Sequence, residues 1–168
     1  MHIPIAVDYG VRALVDLALH ADTGLVRTSD IAQRNAIPEL YLEQILSVLN
    51  KKGLTRSHRG PQGGHALALR SSEISLSMVM TALGETGVLV SCLDSREKCV
   101  LTPSCAQRDV WLTVGQAINS ILDATTIADL ANRTQAYQWE RKRVSEALDE
   151  GRCLQQSVSS PEGVAIAP

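Results

Sequence analysis

Two short helical segments joined by a tight turn constrain the fold of this chain more than any other feature of its sequence. The first begins near Thr28 and ends at the Asn-Ala-Ile turn of residues 35–37, and the second starts beside Pro38, a residue favoured in the first turn of a helix. Gly53 supplies a C-terminal stop for the second segment. Its apolar stripe consists of Leu42, Ile45, Leu46 and Leu49. Two short helices around such a turn predict a helix-turn-helix unit.

A longer helix is expected to precede this unit. Its apolar residues recur at helical spacing, at Val11, Leu14, Val15 and Ala18. Asp8 is suited to be its N-cap and Gly24 to close the segment.

A β-hairpin is expected directly after the helix-turn-helix unit. Residues 54–57 and 66–69 are strand-like, and the intervening residues 58–65 are rich in glycine. The stretch from 51 to 70 carries basic residues and no acidic one: Lys51, Lys52, Arg56, Arg59 and Arg70. Glycine-rich basic hairpins also occur on other surfaces, but after a helix-turn-helix unit the pattern predicts a wing that contacts phosphates. This local patch is needed because the net charge of the whole chain is -2.

The helix after the turn has the diameter that fits the major groove of double-stranded DNA. Tyr41 and Gln44 can donate to base edges or phosphates, and Glu43 can accept from a cytosine amino group. Arg59, with Gly60 beside it, suits the narrow and strongly negative minor groove. Two alternatives stay open: a half-buried packing role for the Tyr41 ring, and a simple solvated position for Glu43.

The second half of the chain predicts further helices. One begins at Leu76, and a longer one covers residues 107–122. The long helix has a broad apolar stripe at Val110, Trp111, Val114, Ile118, Ile121 and Leu122, which suits a dimer seam, with packing inside one chain as the alternative. A symmetric dimer would present two reading helices to a palindromic site.

The end of the chain is predicted to be polar. Thr126 should cap a short helix, residues 136–148 read as a separate charged helix, and residues 151–168 are expected to be disordered. The chain then divides into a winged helix-turn-helix domain at 1–75, a cysteine-loop and dimerisation region at 76–131, and a polar helix with its tail at 132–168. The predicted fold is mostly α, with a small β-hairpin wing and a long dimerisation helix.

Three cysteines lie close together in the sequence, at Cys92, Cys99 and Cys105. Gaps of six and five residues differ from the short CxxC spacing usual for zinc. Thiolates suit iron-sulfur clusters, and three of them leave one position for a different ligand. A disulfide switch without a cluster remains possible from the same residues. Catalysis is disfavoured, because the chain has no phosphate-binding glycine loop and no histidine near the cysteines in sequence.

The compartment follows from what the sequence does not contain. Neither a signal-peptide-like start nor a run of roughly 18 apolar residues is present. We therefore expect a cytoplasmic protein with no membrane partner, in which structural disulfides are not favoured.

Over about residues 1–133 the chain resembles the bacterial winged-helix iron-sulfur repressor family of IscR, NsrR and RirA. The resemblance is carried by residues 8–14, 41–44 and 59–64 together with the three cysteines. It implies a homodimer with the cysteine loop near the dimer interface, a cluster bound through the three thiolates, and promoter binding that changes with the state of the cluster.

One position departs from relatives of the cluster-biogenesis type, which carry a histidine where this chain has Arg108. NsrR-like members instead have an aspartate in the first helix, contributed to the cluster by the partner subunit, with an arginine one turn on. Asp8 and Arg12 match that pattern, and Glu85 resembles a residue near the cluster in those proteins. The structural alternative for Asp8 is a helix cap paired with Arg12.

The resemblance to aspartate-bearing members favours a 4Fe-4S over a 2Fe-2S cluster. The predicted function is therefore a homodimeric DNA-binding repressor controlled by a cluster that senses nitric oxide, redox state or iron and cluster status. A cluster-free thiol-disulfide regulator is the alternative.

Overall fold

The computed structural model describes residues 3–60, 63–84 and 104–156, with side chains described as far as residue 146. The elements in chain order are α1 Ile5–Leu19, α2 Thr28–Asn35, α3 Glu39–Lys51, β1 Thr55–His58, β2 Gly64–Leu67, α4 Leu76–Ala82, α5 Ala106–Ala124 and α6 Ile127–Gln156. A helical array with one antiparallel hairpin confirms the predicted winged helix-turn-helix class.

The core lies where α1, α2 and α3 meet. The predicted stripe of α3 is buried, and it packs against Leu14 and Leu17 of α1 and Ile31 of α2. Each such side chain contributes roughly 1.5–3 kcal/mol by leaving water. Ala36, in the turn, adopts a left-handed conformation with φ 52°, and the amide of Ile37 donates to Ala32 O at 3.0 Å. The turn thereby holds α3 against the core at a fixed angle to α2.

The hairpin is shifted relative to the predicted strands of residues 54–57 and 66–69. Its ladder pairs Thr55 with Leu67 and His58 with Gly64. The shift has a tertiary cause, because Val26 forms an isolated bridge with His65 and draws the start of β2 into pairing. The amides of Val26 and His65 donate to each other's carbonyls at 2.9 and 2.8 Å.

The predicted N-cap role of Asp8 is wrong. The helix begins at Ile5 after Pro4, and the amides of Val7 and Asp8 already donate to Pro4 O at 3.0 and 3.3 Å. Asp8 therefore lies within the first turn, where its negative charge interacts favourably with the helix dipole.

The C-terminal helices also differ from the prediction. Thr126 caps α6 as expected, since its Oγ1 accepts from the Asp129 amide at 3.2 Å. However, α6 is one continuous helix rather than two, and it runs through Gly151 to Gln156. A lone glycine among helix formers costs only about 1 kcal/mol, so residues 151–156 are helical and not disordered. The rest of the predicted disordered tail lies outside the described residues.

The chain divides into two compact units, Met1–Ala131 and Asn132–Pro168. The first contains the core, the hairpin and α5. Across the described ranges, no helix is long and apolar enough to cross a membrane.

Candidate nucleic-acid interface and thiol site

The reading helix α3 presents a polar face opposite its buried stripe. Glu43 and Gln44 are both exposed on this face, one turn from the N-terminus of the helix. Tyr41 is half-buried, and its ring meets the ring of Tyr9 edge-on, with centroids 5.9 Å apart and planes at 74°. Tyr41 therefore has the half-buried packing role that was one of its two interpretations, and it lies close in sequence to the exposed Glu43 and Gln44.

The wing carries its predicted residues at the tip of the hairpin. Arg59 is exposed immediately after β1, and Gly60 follows with φ 128°, a backbone conformation that side chains rarely adopt. The amide of Gly63 donates to Gly60 O at 2.8 Å and closes this part of the turn. Arg59 is therefore an exposed side chain on a tightly turned backbone.

The predicted basic patch is smaller than the sequence suggested. Lys51, Lys52 and Arg56 are exposed beside the wing, but Arg70 is engaged by Glu73, with Nη2 and Oε1 2.7 Å apart. Glu73 lies just beyond the stretch that lacks acidic residues, and the short 3₁₀ turn at Ser71–Glu73 brings it back onto Arg70. Lys51, Lys52, Arg56 and Arg59 remain as exposed positive charges on and beside the wing.

A cleft of about 300 Å³ lies between α2, α3 and the wing. Residues at the start of α2 and on the hairpin join Glu43 in lining it, and the sequence reasoning did not single them out: Arg27, Thr28, Ser29, His58 and His65. Each is an ordinary polar residue in sequence, and the fold brings them to one place, with the Val26–His65 bridge joining the hairpin to the segment before α2. Polar side chains converge here beside the reading helix, which adds this cleft to the candidate interface.

His65 is the unusual side chain of the cleft. Its Nδ1 atom is buried and has no hydrogen-bond partner among the described residues. Burial lowers the pKa of the imidazole, and the nearby Glu43 carboxylate opposes that shift. His65 is therefore a neutral ring at pH 7.

Asp8 and Arg12 form an ion pair, as predicted in the alternative to cluster binding by Asp8. Arg12 Nη2 lies 2.7 Å from Asp8 Oδ2, and Nε donates to Oδ1 at 3.3 Å. The carboxylate is 41% exposed, so it remains accessible from outside the helix.

Of the three cysteines Cys92, Cys99 and Cys105, only Cys105 lies within the described residues. It is a partly exposed free thiol and the N-cap residue of α5. Cys92, Cys99 and Glu85 lie outside the described residues. Within the described parts of the chain, no three histidine, cysteine or acidic side chains are grouped to hold a metal ion.

Residues 3–133 match the family profile of Rrf2, described as an iron-dependent transcriptional regulator. The chain belongs to the Rrf2 family. IscR of Aliivibrio salmonicida is 34% identical to this Rrf2 protein over 159 residues, which cover 94% of each chain. The solved structure of T. potens IscR has a TM-score of 0.67 at 32% identity, covering 82% of this chain and 91% of that one.

CymR, named as the global cysteine regulator of B. subtilis, has a TM-score of 0.69 at 30% identity. The alignment covers 79% of this chain and 98% of CymR. This Rrf2 protein is a DNA-binding transcriptional regulator and not an enzyme, as the sequence predicted. The resemblance to the IscR family is confirmed.

Proposed function

We propose that this Rrf2 protein is a homodimeric repressor whose promoter binding is controlled by an iron-sulfur cluster held by Cys92, Cys99, Cys105 and Asp8. The observation that carries the proposal is the position of Cys105 at the start of α5, a helix with an exposed apolar stripe. The Cys105 thiol then lies at the start of the helix along which two copies would meet.

The dimer is supported by the exposure of α5. All 19 residues of this helix are described, and none is buried. Its large apolar side chains include Val110 at 60%, Trp111 at 42% and Ile121 at 66% exposure. Contiguous exposed apolar surface of this kind marks an interaction site, and a second copy would cover it with the same stripe.

Analytical ultracentrifugation tests the dimer with two matched substitutions on α5. Trp111→Lys places a charge in the stripe and should shift the protein from dimer to monomer. Gln116→Lys adds the same charge on the opposite side of the helix and should leave the dimer intact. A monomeric wild-type protein, or a Trp111→Lys variant that stays dimeric, would refute the α5 seam.

The three thiolates and the Asp8 carboxylate are chemically suited to bind an iron-sulfur cluster. Thiolates are the usual ligands of iron-sulfur clusters, and Asp8 offers an accessible carboxylate in place of a fourth thiolate. A hard carboxylate binds soft iron-sulfur centres weakly, so a bound cluster would supply a readily lost centre that responds to nitric oxide, oxidants or iron supply. These four residues favour sensing over electron transfer, and a 4Fe-4S form over 2Fe-2S.

Arg12 would then act beside the cluster rather than in it. Its guanidinium pairs with Asp8 in this structure, and it would have to release the carboxylate when Asp8 binds another partner. Glu85 is proposed as a neighbour of the same site.

On the DNA side we propose that Tyr41, Glu43, Gln44, Arg59 and Gly60 contact a palindromic promoter site. The exposed reading face of α3 and the tightly turned wing support this assignment. In a symmetric dimer the two α3 helices would enter major-groove segments about 34 Å apart.

The deciding experiment is an absorption spectrum with iron and sulfide analysis on protein purified without oxygen. The wild type should absorb broadly at about 400 nm and contain matching iron and sulfide. Cys99→Ala should lose both. Cys153→Ala is the matched control, because this cysteine lies far from the cluster in sequence, and it should retain both.

An iron-free protein that cannot be reconstituted would contradict the proposal of a bound cluster and favour the thiol switch. The similarity to CymR supports this alternative. In that switch two of the three thiols would form a disulfide, releasing two protons and passing two electrons to an oxidant. Its signature would be a mass loss of about two hydrogens on oxidation, with DNA binding altered and no iron present.

A further inference from the structure

A continuous set of side-chain contacts leads from Asp8 to the reading helix. Arg12 holds Asp8 on one side, and its guanidinium carbon lies 5.7 Å from the centroid of the Tyr9 ring. The Tyr9 ring in turn meets Tyr41 edge-on at 5.9 Å. Tyr9 and Tyr41 are both half-buried and pack against the core. The chain Asp8–Arg12–Tyr9–Tyr41 therefore joins the first turn of α1 to the first turn of α3.

The end of this contact chain lies beside the DNA-reading residues. Tyr41 is two and three residues before Glu43 and Gln44 on the same helix. A rotation or shift of the Tyr41 ring would move the N-terminal turn of α3, where base contacts are made by a recognition helix. Edge-to-face ring pairs prefer a narrow range of geometry, so the Tyr9 ring restricts where Tyr41 can lie.

The Arg12 guanidinium contacts both the Asp8 carboxylate and the Tyr9 ring. The series of contacts from Asp8 to Tyr41 is therefore sensitive to what Asp8 binds. The carboxylate anchors Arg12 over the Tyr9 ring, where a cation is attracted to the ring face. When Asp8 binds another partner, Arg12 loses this anchor and can leave the ring. The geometry of Tyr9 against Tyr41 then changes, and with it the placement of Tyr41 on α3.

We propose that Tyr9 is a positioning residue that couples the state of the Asp8 carboxylate to the placement of Tyr41 on the reading helix. The inference rests on the proposed function only in naming a cluster as the group that would engage Asp8. The coupling between Asp8 and DNA affinity is a property of this chain's own side chains and can be measured without iron.

A double-mutant cycle on iron-free protein tests the coupling. Asp8→Asn removes the charge with little change of shape, and Tyr9→Leu removes the ring. The probe is a fluorescent 30-base-pair duplex selected by the wild-type protein from a random-sequence library. We expect Asp8→Asn to change the Kd for this duplex by about threefold to tenfold in the wild-type background. In the Tyr9→Leu background the same substitution should change Kd by less than about 1.5-fold.

Equal effects of Asp8→Asn in both backgrounds, or no effect in either, would overturn the proposal. Tyr9→Phe keeps the ring and should preserve the coupling, which separates positioning from simple loss of stability. Tyr137→Leu, at an exposed tyrosine of α6, is the matched control and should leave the effect of Asp8→Asn unchanged.

A second route guards against a Tyr9→Leu protein that does not fold. Arg12→Gln keeps Tyr9 and Tyr41 but removes the shared guanidinium, and it too should abolish the effect of Asp8→Asn on DNA affinity. A full Asp8→Asn effect in the Arg12→Gln background would contradict the proposal. Failure to find a cluster by absorption would refute the proposed sensor. It would not change the coupling between Asp8 and Tyr9, because the double-mutant cycle is measured on iron-free protein.

Discussion

Asp16 of α1 and Arg34 of α2 form a bidentate ion pair, with Arg34 Nε donating to Oδ2 at 2.8 Å and Nη2 to Oδ1 at 2.6 Å. Asp16 is almost fully buried, and Asn35 Nδ2 also donates to its Oδ2 at 3.1 Å. The hydrogen bonds to Asp16 raise the pKa of Arg34. Because Arg34 and Asn35 are the last residues of α2, their hydrogen bonds to Asp16 hold the end of that helix, and hence the turn before α3, against α1.

Replacement of Asp16 by alanine should lower the free energy of unfolding by about 1.5–3 kcal/mol, the usual loss for charge-assisted hydrogen bonds. The lower end of the range is expected because the Arg34 side chain is 37% exposed and water can solvate it. Urea unfolding monitored by circular dichroism measures the change. Asp22→Ala, in the exposed turn after α1, should change stability by less than about 0.5 kcal/mol. Equal stability of the two variants would show that the pair contributes nothing.

Arg59→Ala should weaken binding to the selected duplex by about tenfold, as expected for loss of one arginine contact in a groove. The slope of log Kd against log salt should also fall by about one. Fluorescence anisotropy at several salt concentrations measures both. Arg141→Ala, at an exposed arginine of α6, provides the control. Wild-type affinity in Arg59→Ala would remove the residue from the interface.

Gly64→Ala should detach the wing from the segment before α2. A Cβ at this position would lie 2.6 Å from the carbonyl oxygen of Val26, a backbone atom that cannot move aside cheaply. We expect a loss of about 1–3 kcal/mol in the free energy of unfolding. Hydrogen exchange of the Val26 and His65 amides should become faster, since their mutual hydrogen bonds would break. Unchanged protection of both amides would contradict the prediction.

Stability should fall as the pH is lowered through the titration range of His65. Burial lowers the pKa of this imidazole below its ordinary value of about 6.5. The unfolded chain therefore binds the proton more readily than the folded one in the window from about 6.5 down to the folded pKa. The His65 contribution is fully present above about pH 6.5 and is lost as the pH falls through that window.

His65→Gln should flatten this part of the stability profile, because glutamine does not titrate. Glu43→Gln should make the loss larger and extend it to lower pH, because the Glu43 carboxylate raises the pKa of His65 in the folded state. Thermal unfolding between pH 7.5 and 5 measures both effects. An identical acid profile in wild type and His65→Gln would assign the pH dependence to other groups.

Several features of this protein could be derived from local sequence signals. The α3 stripe from Leu42 to Leu49 follows a helical period, and Gly53 ends the helix with φ 75°. The existence of the hairpin followed from its glycine-rich turn. Such signals act over a few residues, so they predict which elements form more reliably than where each one begins. The start of α1 at Ile5 and the continuity of α6 through Gly151 show the error at the boundaries.

The sequence by itself determined the winged helix-turn-helix class, the family, and the residue types that make DNA contact and thiol chemistry possible. Only the tertiary structure decided that His65 lies with Thr28 beside Glu43, that Arg70 is engaged by Glu73, and that Tyr9 contacts Tyr41. These contacts join residues on different elements, or residues that a turn brings back on itself. They depend on how buried side chains pack α1, α2, α3 and the wing together, and no period or spacing within one segment encodes that packing.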